Sequence, residues 1–376
     1  MTSALELAFW GSALLLVHVF AGYPVCMWLM ANLAPQPVRK RDITPTVTIV
    51  IAVHDGAGEV DAKLANLNAL DYPSQLLDIV IVCDGCGDDT AERCRRFGDP
   101  RLRVLEFAER RGKAACLNDG IAVATGEVLL LTDIRQRLAP VALRELAANL
   151  GDESVGAVSG ELQLEDAQTG FARGVDAYWR YEKLIRHAES RAGSTVGVSG
   201  ALYAMRRDLF QPLPAGTVLD DVLVPMQVVA AGKRVVFEPL ALAWDRPSQH
   251  AAQEQKRKIR TLAGNFQLIQ LAPWLLSPAR NPLWFRFVSH KLLRLLAPWL
   301  LLLFASSSAA LASRHVIYAA AVLLLAVGMA LVVAGKLRPT LGKLAPIRLL
   351  GAFFYLNLFA AQALVAFVRN RRLHLW

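Results

Sequence analysis

The sequence predicts an α/β domain with a mostly parallel sheet, inserted between one N-terminal transmembrane helix and several C-terminal ones. The chain of 376 residues is 54% hydrophobic and only 19% charged, with a mean hydropathy of +0.35. These values exclude a disordered chain and are unusual for a soluble domain. Long apolar runs lie towards both ends, and between them short β-branched runs alternate with helix-like stretches, which is typical of a parallel sheet.

The N-terminal apolar run covers residues 5–30 and is followed by Arg39, Lys40 and Arg41. This length and flank predict a membrane helix whose C-terminal end faces the inside of the cell. A cleaved signal peptide would have basic residues before the run and a small-residue cleavage site after it. We therefore expect a retained anchor, and we assign 1–40 to this helix and its basic flank.

Three further apolar runs lie at about 295–311, 316–335 and 349–368. If each of them crosses the membrane in turn, the tail with Arg369, Arg371 and Arg372 lies outside, against the positive-inside tendency. Either this tendency fails at the tail or one run does not span, and the short run after His290 is the weakest candidate. We assign 251–290 to interfacial amphipathic helices and 291–376 to transmembrane helices.

Residues 41–250 form the predicted cytoplasmic domain. Its first four strands are TVTIVIAV, DIVIVCD, RLRVLEF and EVLLLTD. Ligands of such sheets bind at the carboxyl ends of the strands, where the sequence places His54, Asp55, Asp84 and Asp133. Each aspartate alone could be a turn or cap residue. Together they should point into one crevice, where clustered carboxylates need a cation or a hydroxyl group beside them.

Charge and cysteine content limit the partners and the compartment. The net charge of +9 suits an anionic lipid or an anionic substrate. Nucleic-acid binding is disfavoured, because the basic residues concentrate beside the apolar runs. Five cysteines, an odd number, fit a reducing compartment better than a disulfide framework. We therefore expect a multi-pass protein of the cell (inner) membrane with a cytoplasmic domain.

Lys113 follows a glycine in RRGKAACLNDG, just before an apolar helical stretch. A lysine near a helix N-terminus is suited to binding a phosphate. The patterns GxGxxG and GxxxxGK[ST] are both absent, so a dinucleotide-type site is disfavoured.

Seven segments in order resemble the motifs of membrane-bound family 2 glycosyltransferases, the group of cellulose, chitin and hyaluronan synthases. They are AVHDG, VCDG, RRGKAACLNDG, LLLTDIRQ, VSGALYAMRRDLF, LDDVLVPMQVVAAGKRVVFEP and QKRKIRTLAGNF, and the resemblance spans 45–264. It implies a GT-A domain that faces the cytoplasm and binds a UDP-sugar. The implied reaction is inverting transfer of the sugar to a hydroxyl of a growing polysaccharide or a lipid-linked saccharide.

The resemblance also implies donor-site roles. Asp84, with His54 and Asp55 beside it, would contact uridine, and Lys113 would line the same nucleotide. Asp133 begins the DxD motif, which holds the diphosphate through Mg²⁺ or Mn²⁺. Here the motif has Arg135 in place of the second acid. Arg135 could pair with a phosphate, or turn away and leave Asp133 with the metal.

LDDVLVPM corresponds to the motif of the catalytic base, which makes Asp221 the base with Asp220 beside it. The alternative is a helix cap and a first-turn acid. VSGALYA places Ser199 and Gly200 where backbone approaches the transferred sugar, and a tight turn is the alternative.

QKRKIRT implies that Arg257 and Arg260 neutralise the departing diphosphate, while Thr261 replaces the tryptophan of processive relatives. Non-processive addition of single sugars to a lipid-linked oligosaccharide is therefore the main alternative. This basic stretch could also lie on anionic lipid. The aromatic side chains of Trp179 and Tyr181, next to Glu182, suit either sugar rings or the membrane interface. A non-enzymatic transport protein that binds nucleotide is disfavoured, because the middles of the apolar runs lack charged residues.

Overall fold

The computed structural model describes residues 2–165, 170–246, 251–370 and 373–375, with side chains throughout except at 2, 170–179, 251 and 339. Within these ranges eight strands form one sheet, in the order β3-β2-β1-β4-β7-β6-β8-β5. The strands are β1 (Val47–Val53), β2 (Leu77–Asp84), β3 (Leu102–Phe107), β4 (Val128–Thr132), β5 (Arg137–Leu138), β6 (Val155–Leu164), β7 (Leu202–Arg206) and β8 (Arg234–Asp245).

The four strands predicted from the sequence form the parallel half of the sheet. Val47 of β1 is in register with Leu77 of β2 and with Val128 of β4. Every residue of β1 is buried, because strands in the middle of a parallel sheet are covered by helices on both faces. The carboxyl ends of these strands therefore meet at one edge, as predicted.

The other half of the sheet is mixed, and the sequence analysis did not identify its strands. β7 pairs antiparallel with both β4 and β6, whereas β8 runs parallel to β6 and antiparallel to β5. Four of the seven pairings between described strands are parallel. The predicted α/β fold with a mostly parallel sheet is therefore confirmed.

Fourteen α-helices lie within the described ranges. They are α1 (Thr2–Val17), α2 (Tyr23–Leu33), α3 (Ala57–Asn68), α4 (Thr90–Arg96), α5 (Lys113–Ala122), α6 (Ala142–Leu150), α7 (Gly170–Arg191), α8 (Asp220–Ala230), α9 (Ala251–Leu271), α10 (Trp284–Phe287), α11 (Leu293–Leu311), α12 (Val316–Leu337), α13 (Pro339–Gly342) and α14 (Ala345–Arg369). Helices α3 and α6 pack on one face of the sheet, and α5 and α8 on the other.

Four helical segments of the described chain are long and apolar enough to cross a membrane: Ser3–Leu33, Trp284–Leu311, Val316–Leu337 and Ala345–Arg369. The run after His290, the weakest candidate in the sequence, belongs to a helical segment that begins earlier, at Trp284. A π-helical segment, Val288–Leu292, joins α10 to α11, so this helix has 28 residues. The domain boundary assigned at residue 290 lies inside it.

The end of the chain lies against the sheet domain, beside the loop before α5. Arg260 Nε donates to the Leu373 carbonyl oxygen at 3.0 Å, and a Cβ on Gly112 would come within 3.0 Å of His374. Helix α14 reaches this position along α9, where Phe367 stacks on Phe266. Residues 373–375 therefore lie beside the sheet domain. Arg371 and Arg372 lie outside the described residues.

A buried polar network joins the sheet domain to the apolar helices. Glu189 of α7 accepts hydrogen bonds from Thr195 (3.0 Å) and Tyr23, and it contacts His290 Nδ1 at 2.7 Å. The other ring nitrogen of His290 contacts Glu182 at 2.6 Å. Burial raises the pKa of Glu189, but the neighbouring charges and hydrogen bonds outweigh it and lower this pKa to about 2. The carboxylate is therefore ionised at neutral pH.

Arg286 binds backbone carbonyl groups at the C-terminal end of α7. Its guanidinium donates to the carbonyl oxygens of Glu189 at 2.8 Å and Ala192 at 2.7 Å, and also to that of Ser194. These carbonyls are buried in the junction, so no water can replace the arginine.

We predict that Arg286→Met destabilises the protein by roughly 3 kcal/mol, because it leaves buried carbonyls and the Glu189 carboxylate without this partner. The apparent Tm of the full chain in detergent should fall by about 6–12 °C. Arg280→Met, at an exposed position nearby, is the matched control. Equal Tm values for the two variants would contradict the assigned role of Arg286.

Candidate active site

The carboxyl ends of β1 and β2 form one wall of the candidate site. His54 Nδ1 bonds to the carbonyl oxygen of Asp84 at 2.8 Å. Asp55 has a φ of 50°, and its Oδ1 accepts from the Gly87 N–H at 2.7 Å. These contacts hold the loop after β1 against the loop after β2. Contact of these residues with a uridine stays a prediction.

Asp84 is fully buried and organises the loop before α5. Its two carboxylate oxygens accept from the N–H groups of Arg111 and Gly112, each at 2.7 Å. Gly112 has a φ of +89°, which favours glycine. In this structure Asp84 therefore shapes the glycine–lysine loop, and its predicted contact with a nucleotide would be additional.

Lys113 is the centre of the charged cluster. Its Nζ lies 2.8 Å from Asp133 Oδ1 and 3.5 Å from Asp220 Oδ2. Burial lowers the pKa of Lys113, but the carboxylates of Asp133, Asp220 and Asp221 outweigh it and raise this pKa. The structure thus brings the predicted phosphate-binding lysine together with the predicted metal ligand and the predicted base.

Asp220 and Asp221 begin α8. Asp220 Oδ2 and Asp221 Oδ1 are buried and have no hydrogen-bond partner among the described residues, so capping of the first turn does not account for these two oxygens. Burial and the charge of Asp220 raise the pKa of Asp221 to about 6, although Lys291 and Lys113 oppose the shift. A carboxylate with this pKa is suited to taking a proton near neutral pH.

The loop 198–200 lies directly against this pair. The Val198 N–H donates to the Asp221 carbonyl oxygen at 2.9 Å, and the Ser199 N–H donates to Ser159 Oγ at 2.9 Å. A Cβ on Gly200 would lie 3.6 Å from Lys113 Nζ and 3.6 Å from Asp221 Cβ. A larger residue at position 200 would therefore fill the space beside Asp221.

Lys63 is a site residue that the sequence analysis missed. Its side chain is 2% exposed, and Nζ donates to Thr132 Oγ1 at 3.1 Å and to the Gln136 carbonyl oxygen at 2.8 Å. Burial lowers the pKa of Lys63 to about 7, against the charge of Asp133. Through these two hydrogen bonds Lys63 supports the loop that carries Asp133. Lys63 lies in the ordinary helical stretch AKLANL, which gives no local signal of this role.

Arg135 turns away from Asp133. Its Nη2 pairs with the buried Oδ2 of Asp245 at 2.7 Å. This geometry favours the second alternative of the sequence analysis, in which Asp133 is left with the metal. Arg135 as a phosphate ligand is a prediction that the ion pair does not support.

The two predicted arginines of QKRKIRT, Arg257 and Arg260, lie in different surroundings. Arg257 is exposed and lies 3.7 Å from Glu254. Arg260 lies near the carboxylate cluster of Asp133, Asp220 and Asp221, which we call the cleft. Burial lowers the pKa of Arg260, and the charges of these three carboxylates oppose this shift. Only Arg260 of this pair therefore lies near the carboxylates.

The YWRYEK segment contacts the apolar helices. Tyr181 Oη donates to the Phe20 carbonyl oxygen at 2.9 Å, and Glu182 pairs with Arg294 at 2.6 Å. These contacts favour the anchoring alternative over sugar stacking. The Trp179 side chain lies outside the described part of the chain.

The carboxylates fit a divalent cation. Asp133, Asp220 and Asp221 offer the hard oxygen ligands that Mg²⁺ and Mn²⁺ take, and two of their buried oxygens lack hydrogen bonds among the described residues. Asp220 lies near the same lysine as Asp133, so a second carboxylate is present in this cluster although the DIR sequence at 133–135 has only one.

Comparison with known proteins identifies relatives. A family model described as glycosyltransferase like family 2 matches residues 45–264. A poly-beta-1,6-N-acetyl-D-glucosamine synthase of Staphylococcus aureus (strain MSSA476) is 23% identical over 247 residues, covering 63% of this chain and 59% of that protein. An N-acetylglucosaminyltransferase of Rhizobium meliloti (strain 1021) is 29% identical over 185 residues, covering 48% and 43%. The match thus spans less than two thirds of each relative's length.

One solved structure is similar over nearly the whole chain. Mannosyltransferase PcManGT from Pyrobaculum calidifontis, in complex with GDP-Man and Mn²⁺, has a TM-score of 0.72 and 24% identity, and the match covers 99% of this chain and 100% of that chain. It supports the GT-A-like fold. The family match covers more than half of the present chain and removes the alternative of a non-enzymatic transport protein. The chain therefore belongs to glycosyltransferase like family 2 and is a glycosyltransferase.

Proposed function

We propose that the protein is an inverting glycosyltransferase that moves a sugar from a UDP-sugar to a hydroxyl of a growing polysaccharide or a lipid-linked saccharide. The observation that carries this proposal is Asp221, a half-buried carboxylate whose Oδ1 is buried without a hydrogen-bond partner among the described residues and whose pKa is raised to about 6. Lys113 and Gly200 lie beside it. The names of the two curated relatives support a donor related to N-acetylglucosamine.

The reaction would be one displacement at the anomeric carbon. Asp221 takes the proton of the acceptor hydroxyl, and the oxygen forms a bond to this carbon. The bond from the same carbon to the diphosphate oxygen breaks, and UDP leaves from the opposite face with the electron pair. A single displacement inverts the configuration.

The leaving diphosphate needs positive charge near the cleft. Lys113 and Arg260 provide two cations there, and fixed charges of this kind stabilise developing negative charge. Asp133 and Asp220 would hold Mg²⁺ or Mn²⁺, which when bound supplies further positive charge to the diphosphate. Arg135 is held by Asp245, so we assign it no contact with substrate.

Non-processive addition to a lipid-linked oligosaccharide is the second candidate. Thr261 lines a cavity between the domain and the apolar helices, at the position where processive relatives carry a tryptophan. The smaller side chain removes a stacking surface for an extended sugar chain. This observation favours addition of single sugars.

We also propose that the protein is a multi-pass membrane protein with its catalytic domain in the cytoplasm. Arg39, Lys40 and Arg41 follow the first apolar helix, which favours this orientation. Because Leu373 packs against the core of the catalytic domain and His374 lies beside Gly112, an even number of the three C-terminal helices would cross the membrane. Helix α14, which packs along α9, would then lie at the inner interface.

We predict that Asp221→Asn lowers the transfer rate by about 10²- to 10⁴-fold, the usual effect of losing a general base, with donor affinity nearly unchanged. Since the base must be ionised, kcat/KM of the parent enzyme should fall about tenfold per pH unit below pH ~6. The variant should lose this dependence. The measurements are UDP release over a panel of UDP-sugars and analysis of the glycosylated product.

Asp208→Asn, at an exposed site away from the cleft, is the matched control and should keep the parent activity and pH profile. If Asp221→Asn turned over normally, the role of base would pass to Asp220 or the site would be wrong.

We predict that transfer needs a divalent cation, so that chelator abolishes it. Arg135→Ala should leave the apparent metal affinity nearly unchanged, because Arg135 is paired with Asp245, whereas Asp133→Asn should weaken it by tenfold or more, as expected for loss of a charged ligand. A titration with Mg²⁺ and Mn²⁺ measures both effects. Full activity in excess chelator, lost in Arg135→Ala, would mean that the arginine replaces the ion.

We predict that a cysteine at Ser313, in the exposed turn between α11 and α12, reacts from outside intact cells with a membrane-impermeant maleimide. Cysteines at Asp208 in the domain and Lys343 before α14 should not react, because both lie on the inner side. The parent chain, labelled in the same way, measures the background reaction of the five native cysteines. Labelling at Asp208 from outside would overturn the topology, and labelling at Lys343 would place the start of α14 outside.

A further inference from the structure

A cavity of about 390 Å³ lies between the catalytic domain and the apolar helices. One side is apolar and is formed by residues of the candidate membrane helices, namely Phe20, Leu295, Leu349, Phe353 and Leu356. The other side is basic, with Arg186, Lys258, Lys291 and Arg294. The cavity is therefore amphipathic, with cations facing a surface suited to hydrocarbon.

Two of these cations form no direct ion pair within the described residues. Glu182 pairs with Arg294 and contacts His290 Nε2, each at 2.6 Å, and Lys258 lies 3.8 Å from Glu254. Arg186 and Lys291 have neither an ion pair nor a side-chain hydrogen bond with any residue that the structure describes. Both side chains are half-buried, and a cation partly removed from water is costly when no anion pairs with it. An anionic occupant would remove this cost.

The basic side of the cavity continues to the proposed base. Lys291 Nζ lies 4.0 Å from the position that a Cβ would take on Gly197, and this position lies 3.3 Å from the Asp221 carbonyl oxygen. An occupant bound at Lys291 would thus lie close to Asp221.

On the basis of the proposed function, we propose that this cavity binds the acceptor, and that the acceptor is a membrane lipid whose phosphate is held by Arg186 and Lys291. A guanidinium and an ammonium suit the oxygens of one phosphate. The apolar wall suits the lipid chain, and the volume suits a head group. A neutral polysaccharide would leave both cations without an anion.

The accepting hydroxyl would belong to the head group next to this phosphate. Its proton passes to the Asp221 carboxylate and its oxygen bonds to the anomeric carbon, while UDP leaves with the electron pair of the broken bond. The phosphate is not consumed, and it positions the hydroxyl at the base.

The test uses the full chain in detergent and native mass spectrometry with three probes: dioctanoyl phosphatidic acid, dioctanoylglycerol with the same chains but no phosphate, and inorganic phosphate. We expect saturable binding of one phosphatidic acid and no binding of dioctanoylglycerol. Arg186→Ala and Lys291→Gln should each weaken the binding of phosphatidic acid by at least about tenfold, because each removes a charge-assisted contact. Lys256→Gln, an exposed position on α9, is the matched control.

A second variant tests the apolar wall without removing a cation. Phe353→Gln should weaken the binding of phosphatidic acid. Any weak binding of inorganic phosphate should stay unchanged. The proposal is overturned if inorganic phosphate binds as tightly as phosphatidic acid, if dioctanoylglycerol binds equally well, or if Lys256→Gln reduces binding as much as Arg186→Ala does.

This test is separable from that of the proposed function. A protein that transfers sugar from a UDP-sugar but binds no phosphatidic acid would refute the lipid acceptor and leave the enzyme assignment intact. A protein that binds phosphatidic acid at this cavity but releases no UDP from any donor would refute the proposed reaction alone.

Discussion

The buried carboxylate of Glu189 is the point at which the sheet domain and the apolar helices meet. Its side chain is 0% exposed, and an ionised carboxylate in such a position must be balanced nearby. Partners come from the N-terminal helix through Tyr23 and from the first C-terminal helix through His290. Moving either helix away would remove a hydrogen-bond partner from this buried charge, so the junction favours the attachment of both helices to the domain. The amphipathic cavity exists because this contact holds its two sides in place.

The sequence predicted the elements whose local pattern reports their burial. β1 and β4 are continuous apolar runs because strands inside a parallel sheet are covered on both faces, and polar residues then mark their ends. β6 begins with small residues and ends partly exposed, and its neighbours β7 and β8 come more than 30 residues later in the chain. No local periodicity predicts such pairings.

The same limit applies to the candidate site. Asp133, Asp221 and Lys113 were identified through motifs, and the structure brings them together. The partner of Arg135 is Asp245, 110 residues away, and the burial of Lys63 depends on the loop after β4. These are tertiary effects. The missing second acid of the DIR sequence at 133–135 looks like a loss in the sequence, whereas in three dimensions Asp220 lies close to the same lysine.

The position of Leu373 and His374 affects how the protein can be handled. Since these residues lie against Arg260 and Gly112, any polypeptide joined beyond Leu375 begins beside the glycine–lysine loop of the cleft. An affinity tag or fluorescent fusion attached there would crowd the loops of Gly112 and Gly216, both of which lie against His374. A fusion at the N-terminus of α1 avoids this, because that end packs against Phe304 and Tyr318 in the apolar helices.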